Sequence, residues 1–586
     1  MRIGLIAEGG YPYVSGDARL WCDRLVRGLG QHEFDIYALS RSERQEDEGW
    51  VPLPPQVSRV RTAPLWAAEG DIWRGGPKGL VRRSVVGDGW AYGRRARRRF
   101  AECYGELVAA VCAGGATDAS GACEDASATE ADRFGNALYG LAELARDEGG
   151  LVGALRSEAA VRALERACRA PGALRTAREA RVPDLLAFAA HLERALRPLS
   201  LDWYEDDGLG SADLCHATSG GAAALSGLLA RHFCGVPLLL TEYGVRLRTH
   251  YLAAPEASPA VRSLLAALHG RLAAETYAQA AVITPGNGHA RRWQERCGAD
   301  RAKLRTVYPG MDASRFAEVG EAAECADPDS LVWVGRIEPA KDIVSLLHAL
   351  AEVRKEEPKT RLRIVGTPSG PEGPAYLGHC RALAAQLFPD EAEGPHTVGD
   401  NPVSFEEIGG PEIPTLADAY ASGAVAVLSS VVEGFPIGLV EAMFSGRATV
   451  STDVGAVVEV IGGTGLVVPP RNPRALAAAC VALLRDPERR ARLGAAARAR
   501  ALELFTVEQN VAAFHGIYLE IVSRTPVRRL VLDEAGDPRP FAVPAEARVP
   551  GRWTERTARP VARGGPPRRP GAPVRATALP ATEGAR

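Results

Sequence analysis

The sequence predicts an α/β chain of two doubly wound domains facing a cleft, with a helical insertion in the first. Three observations carry this reading. Short, almost unbroken apolar runs alternate with stretches of helical period, the pattern of parallel sheets covered on both faces. One long Ala/Arg/Glu/Leu-rich segment interrupts the alternation, which restarts after a polar stretch near residue 320. The length agrees, since 586 residues correspond to about two to four domains.

In chain order, Ile3–Ala7, Phe34–Leu39, Val236–Thr241 and Ala281–Thr284 read as buried strands of a first domain over 1–312. The insertion covers about 95–200, helical in Leu151–Arg169 and Asp184–Arg197, with Gly114–Thr129 small and polar enough for a loose loop. A polar linker is expected over 313–329. A second domain, 330–505, takes strands Leu331–Val334, Leu362–Val365, Ala424–Leu428 and Ala448–Ser451, a helix over Asp342–Arg354 and another opened by Pro436. Helices continue to Val522, and the last, 506–524, is expected to return to the first domain. From Thr525 the periodicity collapses. There, 11 Pro and 12 Arg against 6 acidic residues predict a disordered, positively charged tail over 525–586.

Composition excludes several classes. Lys plus Arg is 70 and Asp plus Glu is 72, a balance that argues against a nucleic-acid partner. The 11 Cys form no C-x-x-C pair and no cluster with zinc spacing, so they read as reduced thiols of a cytoplasmic protein with no metal site. Met1–Glu8 reads as a first strand and not as a signal peptide, and no apolar run is long enough to span a membrane.

Three segments can carry chemistry. In Glu433-Gly434-Phe435-Pro436-Ile437-Gly438-Leu439-Val440-Glu441, a strand runs into a loop and then a helix, with Pro436 suited to the first helical position. Glu433 then sits at the carboxyl edge of the sheet and Glu441 one to two turns into the helix. Free N–H groups near Phe435–Gly438 share that space. Carboxylates that accept and amides that donate suit a polyhydroxylated ligand, although helix capping with one solvated Glu fits the same spacing. In Val334-Gly335-Arg336-Ile337-Glu338-Pro339-Ala340-Lys341-Asp342, Arg336 and Lys341 flank a helix start, an arrangement suited to a diphosphate. Lys341 is one of only 5 Lys in the chain, which singles it out slightly. The loop Glu8-Gly9-Gly10-Tyr11-Pro12-Tyr13-Val14-Ser15-Gly16-Asp17 lets backbone approach a ligand but lacks the dinucleotide fingerprint.

Together these residues resemble glycosyltransferase family 4, retaining transferases with the GT-B architecture of two Rossmann-like domains. Glu433 and Glu441 match its E-x7-E signature, Gly335-Arg336 with Lys341-Asp342 its phosphate-binding motif, and Tyr308-Pro309-Gly310-Met311-Asp312 a variant of its linker motif. Glu8-Gly9, Tyr11-Pro12-Tyr13-Val14, Asp213–Ser219 and Thr241-Glu242-Tyr243-Gly244-Val245 are similar to the PelF-like subfamily of exopolysaccharide transferases.

The resemblance implies roles. Arg336 and Lys341 hold the diphosphate of a UDP-sugar, UDP-glucose being the expected donor. Glu433 and the amides of Phe435, Pro436 and Ile437 hold the hexose, Glu441 the ribose, and the Gly16 backbone approaches the diphosphate. His216 is expected to line the cleft, with capping of its strand as the plain alternative. Charge stabilisation by the two cations needs no metal and no cofactor. Asp327-Pro328-Asp329 has the letters of a metal motif but precedes its strand. Asp17 replaces a usual Gly and Tyr243 a usual His, departures expected to bear on the acceptor, which is unknown. The implied activity is hexosyl transfer in polysaccharide or glycoconjugate synthesis, with a membrane-associated assembly complex as a further expected partner. A catalytically silent nucleotide-sugar-binding subunit and a nucleotide-sugar epimerase are the alternatives.

Overall fold

The computed structural model describes residues 1–16, 18–66, 92–114, 123–205, 207–252, 258–321, 327–389, 401–527, 531–532 and 538–539. Two six-stranded, all-parallel sheets organise the compact unit Met1–Arg529. The first contains β1 (Arg2–Glu8), β2 (Glu33–Ser40), β3 (Val57–Pro64), β4 (Leu214–Ala217), β5 (Leu238–Glu242) and β6 (Val282–Pro285), in the spatial order 3-2-1-4-5-6. The second contains β7 (Ser330–Val334), β8 (Arg361–Val365), β9 (Val403–Glu406), β10 (Val425–Leu428), β11 (Ala448–Thr452) and β12 (Leu466–Val468). Its order, 12-11-10-7-8-9, is the same topology repeated. In each sheet the strand order reverses once, between β1 and β4 and between β7 and β10, and ligands of such sheets sit outside the carboxyl ends at that reversal. This is the two-sheet α/β architecture expected from the sequence.

Every apolar run read as a strand is one, within two or three residues. Four strands have no range in the sequence reading: β3, β9 and β12 on the flanks of their sheets, and the short central β4, whose four residues include Cys215 and His216. The edge strands β3 and β9 are not buried on both faces and do not read as apolar runs, whereas β12, Leu466-Val467-Val468, is apolar but only three residues long. In Val57-Ser58-Arg59-Val60-Arg61-Thr62-Ala63-Pro64 most side chains are only partly buried.

The insertion is helical, with two corrections. The expected helix Leu151–Arg169 breaks into Leu151–Leu155 and Glu158–Arg169, because Ser157 caps the second piece by accepting from the Ala160 N–H at 3.2 Å. The expected loose loop Gly114–Thr129 is helical from Cys123, the start of the helix Cys123–Glu148, and 115–122 lie outside the described residues. The insertion helices share one apolar cluster with Tyr37 and Leu39 of β2, Leu240 of β5 and the helix Ala222–Cys234. They therefore extend the core of the first domain.

The polar stretch 313–329 is partly structured: Ser314–Phe316 and Ala317–Glu321 are short helical turns. Phe316 is buried among second-sheet residues and stacks on Phe444, centroids 6.2 Å apart. The helix Val507–Arg524 begins at Thr506, whose hydroxyl accepts from the Gln509 N–H, and crosses to the first sheet. Phe514, Ile517, Tyr518 and Ile521 pack with Leu25, Leu29, Phe34 and Leu214 there. Gly28 permits the close approach, since a Cβ would stand 2.5 Å from a Val511 methyl.

Leu530–Arg586 forms a second unit, in which Val531–Leu532 pairs antiparallel with Pro538–Arg539. That short ladder lies within the tail expected to be disordered, and the rest of this unit is outside the described residues. The nine cysteines whose side chains are described are all free thiols. Cys112 and Cys168 come nearest, with sulfurs 3.6 Å apart. Among the described residues no helix is long and apolar enough to cross a membrane, and no group of three or more His, Cys, Asp and Glu side chains is arranged to hold a metal ion.

Candidate functional site

The second sheet's reversal, between β7 and β10, brings together the residues that the sequence singled out. After β10 the chain passes buried Ser429 and Ser430 into the loop that carries Glu433. After β7 it passes Arg336 and makes a 3-10 turn, Pro339–Lys341. Two bonds fasten that turn to the end of β10: Ser429 Oγ donates to the Lys341 carbonyl at 2.7 Å, and the Val431 N–H donates to the Ala340 carbonyl at 2.9 Å. Lys341 Nζ consequently reaches Glu433 Oε1 at 2.5 Å, with the side chains only 15% and 10% exposed. Ser430 Oγ donates to the same oxygen at 2.7 Å. A largely buried ion pair with a second hydrogen bond to the same oxygen is a fixed arrangement of charge, costly to break from one side.

Arg336 stands differently. Its side chain is 69% exposed, and Glu338 lies 4.0 Å away. At a strand's carboxyl end, beside Lys341, it is open to an incoming anion.

Glu441 lies on the helix Ile437–Phe444. Burial pushes its carboxyl up to about 7, although the hydrogen bond from Tyr420, and Arg315 and Arg24, act the other way. Tyr420 OH stands 3.0 Å from Glu441 Oε2 and 2.9 Å from the Gly438 carbonyl. Glu441 is thus poised between its two protonation states near neutrality.

The loop between the two glutamates differs from expectation in three details. Pro436 is the cap residue and the helix starts at Ile437, a one-residue shift of the usual kind. Pro436 has no N–H to give. The Ile437 N–H already donates to the Phe435 carbonyl at 3.0 Å. Amide recognition by Phe435–Ile437 is therefore reduced to the Phe435 N–H. The Phe435 ring is anchored against Phe505 and Tyr308, centroids 5.7 and 6.3 Å away, and the Ile437 side chain is exposed.

In the first domain, Gly16 has φ +125°, and a Cβ there would stand 2.1 Å from the Gly9 carbonyl oxygen. Only glycine fits, and its backbone precedes the helix Arg19–Gly28, whose N-terminus has no side-chain cap. Asp17 lies outside the described residues.

His216 does not line the cleft. It is wholly buried in β4, with Nδ1 2.7 Å from Tyr518 OH and Nε2 2.7 Å from Thr241 Oγ1, and Trp21 and Phe514 pack on its ring. Burial lowers its pKa to about 3, so it stays neutral. Both nitrogens are occupied and no face is open. This residue ties the C-terminal helix to the first sheet, and its assignment to catalysis is withdrawn. Tyr243 is likewise inward, edge-on to Trp21, with its OH accepting from Asn510 Nδ2 at 3.3 Å. Asp327 and Asp329 stand at the amino end of β7, the edge opposite Lys341; the Asp329 N–H and the Ser330 hydroxyl bond to Asp327 there.

Sequence reading missed Arg246 and Arg248 on the helix Arg246–Leu252 after β5. Arg248 Nη2 donates across the cleft to the Glu433 carbonyl at 2.9 Å. Tyr420 and Ser430, the partners of the two glutamates, were also missed. The motif Thr241–Val245 was recognised, and reading one and three residues further along the same strand exit would have found both arginines.

Comparison with known proteins gives a consistent account. The D-inositol 3-phosphate glycosyltransferase of Kineococcus radiotolerans is 36% identical over 225 residues, 35% of this chain and 49% of the relative. The protein of that name from a Nocardioides species is 30% identical over 52% of this chain and 66% of its own length. The chain spans about half the length of most curated relatives it matches. Among solved structures, the sucrose-phosphate synthase of Thermosynechococcus elongatus aligns over 89% of this chain and 99% of its own, with TM-score 0.50 and 16% identity, a likeness of GT-B fold. Residues 328–486, the segment that holds Arg336, Lys341, Glu433 and Glu441, match the family model described as Glycosyl transferases group 1. Residues 1–302 match the model described as Domain of unknown function (DUF3492). That match takes in more than half of the 586 residues, and the chain belongs to this family, with a group 1 glycosyl transferase segment following over 328–486.

Proposed function

We propose that this chain is a retaining, metal-independent glycosyltransferase, family 4 and PelF-like in kind, that moves a hexose from a UDP-sugar, UDP-glucose foremost, to an acceptor seated by the first domain. Its setting is polysaccharide or glycoconjugate synthesis in the cytoplasm, beside a membrane-associated assembly complex. The observation that carries the reading is the Lys341–Glu433 pair at the β7/β10 reversal, with exposed Arg336 beside it and buried Glu441 on the next helix.

The chemistry follows from where charge develops. As the glycosidic bond to the diphosphate stretches, negative charge grows on the leaving oxygens and Arg336 and Lys341 offset it, the role of preorganised electrostatics. Lys341 and Ser430 both bond Glu433 Oε1, leaving Oε2 to accept from a hexose hydroxyl. Glu441, once ionised, accepts from the ribose diol. Retention follows from front-face attack, with a donor phosphate oxygen taking the acceptor proton, so no protein nucleophile is required.

The test uses water as the acceptor. Purified protein with excess UDP-glucose and EDTA should release UDP above the Glu433→Ala, Lys341→Ala double variant, with α-glucose as the first product. Activity that disappears in EDTA and returns with manganese overturns metal independence. Bound donor with no release, across several nucleotide sugars, assigns a binding subunit instead.

A further inference from the structure

The first sheet's reversal carries a group of charges that donor binding does not use. Glu8, the last residue of β1, has a side chain only 3% exposed. Its Oε2 accepts from the N–H of Ala222, first residue of the helix after β4, at 2.8 Å. Its Oε1 accepts from Arg246 Nη1 at 2.8 Å and from Arg41 Nη2 at 3.4 Å. These cations hold the Glu8 carboxyl below its ordinary range despite burial. By themselves one carboxylate and two guanidiniums leave one positive charge in excess; the Glu242 carboxyl also faces Arg246, and burial holds it above its ordinary range, toward the neutral form.

The arrangement is built into the backbone. A Cβ on Gly9 would stand 2.5 Å from Arg41 Cδ and Nε, and one on Gly221 would stand 2.4 Å from Glu8 Oε2. Gly9 also has φ +64°, and glycine at these two positions lets both arginines sit against Glu8 without displacement. Their side chains nevertheless remain 53% and 42% exposed, so they present N–H donors outward. Each guanidinium carries five such donors in a planar fork matched to carboxylate or phosphate.

Location supplies the rest. Arg246 and Arg248 open the same helix, and Arg248 donates to the Glu433 carbonyl. Arg246 and Arg248 are two residues apart, so their side chains leave the helix on different sides: Arg246 turns to Glu8 and Arg248 to the loop proposed to hold the donor hexose. Glu8 meanwhile occupies the N-terminus of the helix Ala222–Cys234, a place where an external anion would otherwise bind.

We infer that Arg41 and Arg246, braced by Glu8, receive an anionic group of the acceptor, so that the acceptor is a polyol bearing a phosphate or a carboxylate. This rests on the transferase reading and adds the charge class of the acceptor to it.

The test is calorimetric titration of the full chain with glucose 6-phosphate, glucuronate and glucose, each with and without saturating UDP. At least one anionic probe should bind about tenfold or more tighter than glucose, the scale of a charge-assisted hydrogen bond. Which anion is preferred identifies the group. Arg41→Gln and Arg246→Gln should each abolish the preference, and Arg246→Lys should keep part of it. Thermal midpoints check the fold, and the more exposed Arg41 keeps the test open should Arg246→Gln not fold. Equal binding of all three probes with and without UDP, or a preference that survives in both Gln variants, overturns the inference. UDP heats recorded in the same titrations separate the two readings. Failure of UDP to bind while the anion preference holds overturns only the donor assignment, and the converse overturns only this one.

Discussion

Replacing Glu441 by Gln should make the protein more stable at neutral and alkaline pH while weakening its grip on the nucleoside. The carboxyl is raised from an ordinary 4.5 to about 7, and burial is the largest cause. An unfolded chain releases this proton at the lower pH and the folded one holds it to the higher, so between the two the folded state carries a proton that the unfolded state lacks. Stability therefore falls as pH rises through that window and levels off above it. At about 1.4 kcal/mol per tenfold change in proton affinity, the full shift is on the order of 3 kcal/mol. Some contact of the site with solvent reduces this, so about 2 kcal/mol is expected. Gln keeps an oxygen for Tyr420 OH but never ionises. Urea denaturation at pH 5, 6, 7 and 8 should show variant and parent close at pH 5 and the variant ahead by about 2 kcal/mol at pH 8. Uridine, which brings no phosphate to titrate, should bind the parent more weakly as pH falls below 7, and the variant weakly at every pH. A gap that does not change with pH, or a parent that gains on the variant as pH rises, refutes the reasoning.

Three further substitutions test other parts. Lys341→Ala should weaken UDP binding by about 1.5–3 kcal/mol, the range of a charged hydrogen bond, as read by calorimetry. His216→Ala should cost about 3 kcal/mol of stability by opening a cavity and stranding Tyr518 and Thr241, yet leave the KM for donor unchanged. Because His216 is held neutral down to about 3 against an ordinary 6.5, the parent should also lose stability as pH falls through that window, and the variant should lose less. Arg248→Ala should lower kcat by about tenfold or more while changing UDP affinity little, with partial rescue by Lys; an effect confined to UDP affinity would remove its positioning role.

What could be read from the chain and what could not divides along physical lines. Strands buried on both faces, such as Ile3–Ala7 and Leu331–Val334, are legible because burial forces an apolar run. The edge strands β3 and β9 carry Arg59, Arg61 and Glu406 and give no such run. Glu433 and Glu441 are legible because the strand-to-helix turn after β10 fixes their spacing locally, and Arg336 and Lys341 because the turn after β7 does the same. Nothing local could reveal that Lys341 and Glu433, 92 residues apart, form an ion pair, or that Tyr420 donates to Glu441 from another helix. His216 shows the reverse error. Its place in a motif suggested the cleft, but in a strand the alternate side chains face opposite sides, and His216 faces the helix Val507–Arg524, which no local pattern announces. Of the amides of Phe435–Ile437, Pro436 has no N–H for a covalent reason visible in the sequence, and the Ile437 N–H is taken by the Phe435 carbonyl, a bond the sequence does not show.

The repeated topology also explains why the two halves can do different work. Each sheet feeds two helices at its point of reversal, and in each sheet one of their N-termini is closed by the chain's own carboxylate. Glu8 accepts from the Ala222 N–H in the first, and Asp342 Oδ1 accepts from the Ser345 N–H at 3.3 Å in the second. The other two N-termini, before Arg19–Gly28 and Ile437–Phe444, have no side-chain cap. An uncapped helix start favours an anion by dipole and by unpaired N–H groups. In the proposed complex a diphosphate directed by Arg336 and Lys341 faces these two uncapped helix starts, one from each sheet, although the first N–H of Ile437–Phe444 is already given to the Phe435 carbonyl. Closing an end has different consequences in the two sheets. Asp342 simply caps its helix, whereas Glu8 gathers Arg41 and Arg246 around itself and turns an inward negative charge into an outward positive one. Under the two proposals, the same fold used twice would present a grip for the donor on one side and an anion-receiving shelf on the other, the difference resting on what each buried carboxylate is paired with.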